Sequence, residues 1–280
     1  MLQRLLSTLV LWTVVLGGLW YFGAHAAVWL LTLLGAFTLH EFYALTEKMG
    51  HRPFRWLGLT TGALMTAAPF YLAQYFTGGE EIPDLAPALL AFAVVIACAL
   101  VLYRRDPPAR AGALAATLLG LLYVPFMLHY LARVLLLYDD PNAGLVPCLW
   151  IVVVAKFCDI GALLTGLACG RHLLAPTISP KKTWEGAVGG VLFASGTGAA
   201  FAYFAGDYLP DNFTPFTAAL VAAPLAIIAI VSDLIESVLK RHAGLKDTGA
   251  LVPGIGGAFD LTDSLILTAP VGYLVFLLLA

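Results

Sequence analysis

The sequence predicts an all-α, polytopic integral membrane bundle of about nine transmembrane helices, and three observations carry that expectation. Of 280 residues, 61% are hydrophobic and only 11% charged, where a soluble domain carries about 25% charged residues. The apolar residues come in runs of about 20, each long enough as a helix to cross roughly 30 Å of hydrocarbon. Basic residues gather in every second connection between those runs, the pattern left when Lys and Arg are retained on the cytoplasmic side. Helices satisfy every backbone N–H and C=O locally, so a helical bundle is preferred to a barrel in lipid.

The apolar runs fall near residues 5–22, 24–46, 57–76, 85–103, 112–137, 144–168, 187–206, 215–239 and 262–280. Arg4 precedes the first. Lys48, Arg52 and Arg55, then Arg104, Arg105 and Arg110, then Arg171, Lys181 and Lys182, and finally Lys240, Arg241 and Lys246 mark the alternate connections. The connections between hold Glu80, Glu81, Asp84, Asp139, Asp140, Asp207 and Asp211, with Arg133 the one basic residue near them. A cytoplasmic N-terminus and an external C-terminus follow. Arg4, the first run and Ala24-His25-Ala26 also fit a signal peptide with a small-residue cleavage site. Pro69, Pro125 and Pro224 lie inside runs and are expected to kink helices. Cys98, Cys148, Cys158 and Cys169 show no C-x-x-C spacing and read as small buried hydrophobes. The six histidines show no ligand spacing and read as packing or interfacial residues.

Fifteen basic residues against 17 acidic ones give a net charge of -2, which excludes the basic footprint of a nucleic-acid binder. Residues 1–143 read as transmembrane scaffold. Residues 144–280 read as the half that carries chemistry, because charge at membrane depth calls for a partner or a task. Lys156 and Asp159, Asp233 and Glu236, and Asp260 and Asp263 are three pairs at i,i+3 spacing, each on one helical face, and all approach the cytoplasmic side.

Two basic connections adjoin them. Ser179-Pro180-Lys181-Lys182-Thr183-Trp184-Glu185-Gly186 precedes the seventh run, with Thr183 placed to cap its helix. Two ammonium groups near a helix start suit phosphate. The second connection, 237–263, joins Lys240, Arg241 and Lys246 to Pro253-Gly254 and Gly256-Gly257, whose bare N–H groups can approach an anion. Asp260 and Asp263 then offer carboxylates to a hard cation such as Mg²⁺, which binds through one or two carboxylates plus substrate phosphates. Neither a G-x-x-x-x-G-K-[ST] loop nor a G-x-S-x-G elbow is present. Cations, glycine N–H groups and paired acids at a membrane surface fit phosphoryl or nucleotidyl transfer, in which charge neutralisation supplies most of the catalysis.

The pattern S-x-x-K-R-x-x-x-x-K-D, then glycines, then D-x-x-D resembles the signature of the phosphatidate cytidylyltransferase, or CDP-diacylglycerol synthase, family; Ser179–Gly186 resembles a second motif of that family. The resemblance implies a multi-helix bacterial inner-membrane fold, often a homodimer, with its site facing the cytoplasm. It implies CTP and phosphatidate or a related lipid phosphate as substrates, with Mg²⁺ as cofactor and K⁺ assisting in some members. Carried onto this chain, it implies substrate contacts from Ser179, Lys181, Lys182, Ser237, Gly256 and Gly257. Metal ligands are implied among Asp159, Asp233, Asp260 and Asp263, and catalytic roles for Lys240, Arg241, Lys246, Asp247, Asp260 and Asp263. Two positions depart from the family pattern: Ile255 stands where a histidine is usual and Leu261 where an arginine is usual. A catalytically silent scaffold, or a relative acting on another lipid phosphate, is the alternative those departures suggest. A transporter is the alternative from another class, but the charged pairs cluster at one face and the halves do not repeat, unlike typical transporters.

Overall fold

The computed structural model describes residues 13, 15–75, 84–103, 107–245, 248–249 and 256–279. After helical residues 15–22, the elements are α1 (Ala24–Lys48), α2 (Arg55–Tyr75), α3 (Leu85–Tyr103), α4 (Pro107–Tyr123), α5 (Pro125–Leu135), α6 (Leu145–Cys169), β1 (Leu173–Ala175), β2 (Ser179–Thr183), α7 (Trp184–Phe204), α8 (Pro215–His242) and α9 (Ala258–Leu279). Among the described residues, seven helical stretches are long and apolar enough to cross a membrane: α1, α3, Arg110–Leu135, α6, α7, α8 and α9. The protein is a multi-pass helical membrane protein. Helix α2 occupies the run expected at 57–76 but falls outside that set. The run expected at 5–22 lies largely outside the described residues.

Proline shapes the helices in two ways. Pro69, Pro224 and Pro270 lie inside α2, α8 and α9, whereas Pro125 separates α4 from α5 at Val124. Proline lacks an N–H and its ring crowds the carbonyl four residues earlier, so the run expected at 112–137 becomes two helices.

The chain groups into two compact units, residues 1–133 with 242–262 and residues 134–241 with 263–280. In the first, α1 supplies a fully buried Phe42 and Tyr43. The Tyr43 hydroxyl donates to the Thr117 carbonyl at 3.0 Å, and the Thr117 hydroxyl accepts from Phe54 N–H at 2.8 Å. Gly58 and Gly120 lie where a Cβ would collide with the Tyr43 ring or hydroxyl, so α2 and α4 can close on that tyrosine only without side chains there. Phe42 meets Tyr123 and Phe259 at ring separations of 6.1 and 6.2 Å, and the Thr38 and Thr262 hydroxyls pair at 3.1 Å. The first turn of α9 is thereby fastened to α1.

In the second unit, α7 presents buried Gly186, Gly190, Ala194, Gly198 and Ala202, a four-residue repeat of small side chains that lets helix backbones approach closely. A Cβ at Gly190 would lie 2.9 Å from the Cys158 carbonyl of α6. Trp150 of α6 is fully buried and donates from Nε1 to the Gly198 carbonyl at 3.0 Å. Its ring packs edge-on against Phe213 and Phe276. Cys148 and Cys158 are buried as expected, whereas Cys98 and Cys169 are exposed, because each lies on a helix face that no neighbouring element among the described residues covers.

Candidate active site

The segment expected as a connection, 179–183, is a strand. It pairs antiparallel with β1, Leu173 opposite Thr183 and Ala175 opposite Ser179, across a three-residue turn. Thr183 caps α7 as its sequence position suggests, its hydroxyl accepting from Gly186 N–H at 3.1 Å. Glu185, one residue inside the helix, accepts from Arg171 and His172 N–H at 3.1 and 3.2 Å, which ties the end of α6 to the start of α7. Arg241 reaches the turn itself, Nε donating to the Ile178 carbonyl at 3.3 Å. The hairpin is therefore held at both ends, and Ser179, Lys181 and Lys182 stand on a braced element.

Those three residues line a cavity of about 460 Å³ together with Asp159 of α6 and Asp233 of α8. Its remaining wall is largely apolar, from Leu163, Leu167, Leu174 and Ile230. The cavity thus has one charged region and one greasy region, the shape expected for a molecule that is itself half polar.

Charged side chains meet around it. Lys182 forms an ion pair with Asp233. Lys156 contacts Asp263 at 3.3 Å and Asp159 at 3.6 Å, and donates to the Ser264 hydroxyl at 2.8 Å. Lys240 pairs with Glu236 one turn earlier on α8 at 2.9 Å. Four carboxylates, Asp159, Asp233, Glu236 and Asp263, thus gather with three ammonium groups. Ligand atoms of Asp233, Glu236 and Asp263 all lie within 4.8 Å of one another, close enough to share one cation. Like charges this close repel unless a cation intervenes, and hard oxygen donors in this number suit Mg²⁺ or Ca²⁺.

Each sequence candidate can now be placed. Asp159, Asp233, Asp263, Lys182 and Lys240 join the cluster, and Ser179 and Lys181 line its cavity. Ser237 is half-buried on α8, next to Glu236. Asp260 belongs to the first unit, where its Oδ2 accepts from Gly257 N–H at 2.9 Å and from the Thr248 hydroxyl at 3.1 Å. The Gly257 N–H is therefore engaged inside the protein, and Gly256 adopts a positive φ of 132°, a conformation only glycine adopts without strain. Leu261 is half-buried in the first turn of α9. Lys246, Asp247 and Ile255 lie outside the described residues. Glu236 was visible in sequence only as half of an i,i+3 pair; its place beside Asp263 is set by packing of α8 against α9.

The fold and the cluster define a class, a multi-pass membrane protein with an acid-rich, lysine-paired site, and similarity to known proteins narrows it. The model of the cytidylyltransferase family matches residues 2–279, and the chain belongs to that family. A phosphatidate cytidylyltransferase of Synechocystis sp. is 32% identical over 289 residues, covering 95% of this chain and 91% of that protein. Others so named are 36% identical in Thermotoga maritima, covering 62% of this chain and 63% of that protein, and 38% identical in Mycobacterium leprae, covering 59% and 50%. The chain thus spans about half the length of the Mycobacterium leprae relative.

Proposed function

We propose that this protein transfers a cytidylyl group from CTP to phosphatidate, giving CDP-diacylglycerol and pyrophosphate, at the cytoplasmic face of the membrane. The observation that carries the reading is the lysine-paired carboxylate cluster beside a half-polar, half-apolar cavity, in a chain similar along 95% of its length to a phosphatidate cytidylyltransferase. In the reaction an oxygen of the lipid phosphate bonds to the α-phosphorus of CTP as the bond from that phosphorus to the β-phosphate bridging oxygen breaks. Pyrophosphate carries the electron pair away. Because the attacking phosphate is already anionic near neutral pH, no strong general base is needed.

The task left to the chain is to bring two polyanions together. Lys181, exposed on the strand, and Lys182, reached by breaking one ion pair with Asp233, supply positive charge where phosphates enter the cavity. Lys240 and Arg241 extend that charge along α8. Leu163, Leu167 and Ile230 accommodate the apolar part of the lipid. Asp233, Glu236 and Asp263 would hold Mg²⁺, which when bound neutralises phosphate charge and stabilises the leaving pyrophosphate. Lys156 bridges Asp159 and Asp263 and is itself oriented by its hydrogen bond to the Ser264 hydroxyl. Cytoplasmic placement rests on the alternation of basic connections.

Purified protein given radiolabelled CTP, phosphatidate and Mg²⁺ is expected to move label into solvent-extractable lipid. No label above an Asp263→Asn control, across several lipid phosphates, would reject the reading.

A further inference from the structure

An acid in the scaffold half has no role in the reaction as drawn above, yet it is built into the segment that carries Asp260. Glu41 lies on α1, inside a run otherwise apolar enough to span the membrane. Its Oε1 accepts from Ala258 N–H at 3.0 Å, and its Oε2 accepts from Phe259 N–H at 2.9 Å and from the Thr248 hydroxyl at 3.0 Å. Ala258 and Phe259 are the first residues of α9, so one carboxylate satisfies two N–H groups that helix geometry leaves without intrahelical partners. Negative charge there also complements the positive end of the helix dipole. The same Thr248 hydroxyl stands 3.1 Å from Asp260 Oδ2. A hydroxyl has one proton, so it links the two carboxylates while donating to one at a time.

The surrounding backbone is shaped to this contact. A Cβ at Gly249 or at Gly257 would collide with the Glu41 carboxylate, and a Cβ at Gly256 would lie 2.9 Å from Asp260 Oδ2. Three glycines in the 249–257 stretch are thus explained by the close approach of these two acids or by the backbone turn beside them.

We propose that Glu41 is a positioning residue for the reaction: it clamps Thr248 and the start of α9, and thereby fixes the direction of the Asp260 carboxylate. This role rests on the proposed cytidylyl transfer and on the catalytic part that the family resemblance implies for Asp260. Without Glu41 the Thr248 hydroxyl and the N–H groups at 258 and 259 lose their shared acceptor, and the Asp260 carboxylate that Thr248 also holds loses its fixed direction.

Glu41→Gln is the informative variant, since it keeps the shape but places an NH₂ against an N–H or hydroxyl donor. In detergent-solubilised full-length protein, amide exchange in a peptide covering 256–261 is expected to quicken about tenfold, the size of a lost charge-assisted hydrogen bond. The kcat is expected to fall about tenfold, with KM for phosphatidate within twofold of wild type and the thermal midpoint nearly unchanged. Thr248→Val removes the hydroxyl that links Glu41 to Asp260 but leaves the Glu41 bonds to Ala258 and Phe259 N–H, and is expected to lower kcat without quickening exchange at 258 and 259. Glu47→Gln, on the same helix and paired with Arg55 at 2.6 Å, serves as the control with wild-type turnover. Unchanged exchange in Glu41→Gln overturns the clamp, and faster exchange with unchanged kcat overturns the positioning role. Wild-type protein with no turnover strikes the function instead, and the exchange difference then decides the clamp by itself.

Discussion

The two units satisfy their membrane-depth acids in opposite ways. In the first, Glu41 is met by backbone N–H groups and a hydroxyl, dipoles that belong to the fold and do not leave it. In the second, Asp159, Asp233, Glu236 and Asp263 are met by the ammonium groups of Lys156, Lys182 and Lys240, which sit on flexible stems and exchange partners readily. Fixed dipoles suit an acid whose task is to hold a backbone in place. Mobile counter-ions suit the task proposed for these acids, which is to trade them for a metal and release them to phosphates. The difference separates framework from chemistry more sharply than the position of a residue in the sequence does.

The largest effect that tests this contrast is expected from Asp263→Asn. It removes a member of the three-acid cluster and leaves Lys156 with one fewer carboxylate, so label incorporation should drop at least about a hundredfold, the scale of losing a preorganised electrostatic group. Glu236→Gln should act through the metal, raising the Mg²⁺ concentration for half-maximal rate by about tenfold or more, read from a Mg²⁺ titration. An unchanged titration would remove Glu236 from the ligand set. Lys182→Met is next: it frees Asp233 and deletes a proposed phosphate contact, so KM for the phosphate substrates should rise about tenfold while the folded protein persists.

Gly58→Ala tests the framework side. Its Cβ would collide with the buried Tyr43 hydroxyl, and overpacking of this kind costs about 1–3 kcal/mol, visible as a lowered thermal midpoint. The smallest effect concerns Asp84, outside the spans. Burial pushes its carboxyl pKa up, but the hydrogen bond to His129, the Ala86 N–H and the charge of Arg133 outweigh that and hold it below the ordinary range. A group with a depressed folded pKa stabilises above its unfolded pKa and loses that contribution as pH falls through the folded value. Thermal melts should show wild type exceeding Asp84→Asn slightly near neutral pH, with the gap closing below about pH 4.

Much of this was legible in the chain itself. Hydrophobic runs gave most of the helices to within a few residues, because a helix is the local solution for backbone in lipid. Thr183 announced its cap. Asp233 and Asp263 stood out as acids in apolar surroundings, and both enter the cluster. Glu41 carried the same signal, a lone acid inside an apolar run, but it had no charged neighbour at i,i+3 or i,i+4 to draw attention, since its partners are more than two hundred residues away. The strand at Ser179–Thr183 was hidden because five residues with Pro180 and two lysines show no alternation; only pairing with Leu173–Ala175 makes it a strand.

The sequence by itself determined the solvent, the helical spans and the kinds of charge available, because burial of apolar runs and backbone satisfaction are local demands. Tertiary structure alone decided which acid meets which partner. Asp260 and Asp263 look like one pair on one helix, yet the first is bonded to Thr248 and Gly257 and the second to Lys156, beside Asp233 and Glu236. The reason is that a partner is chosen by distance in space, and the packing of distant helices sets that distance while spacing along the chain does not.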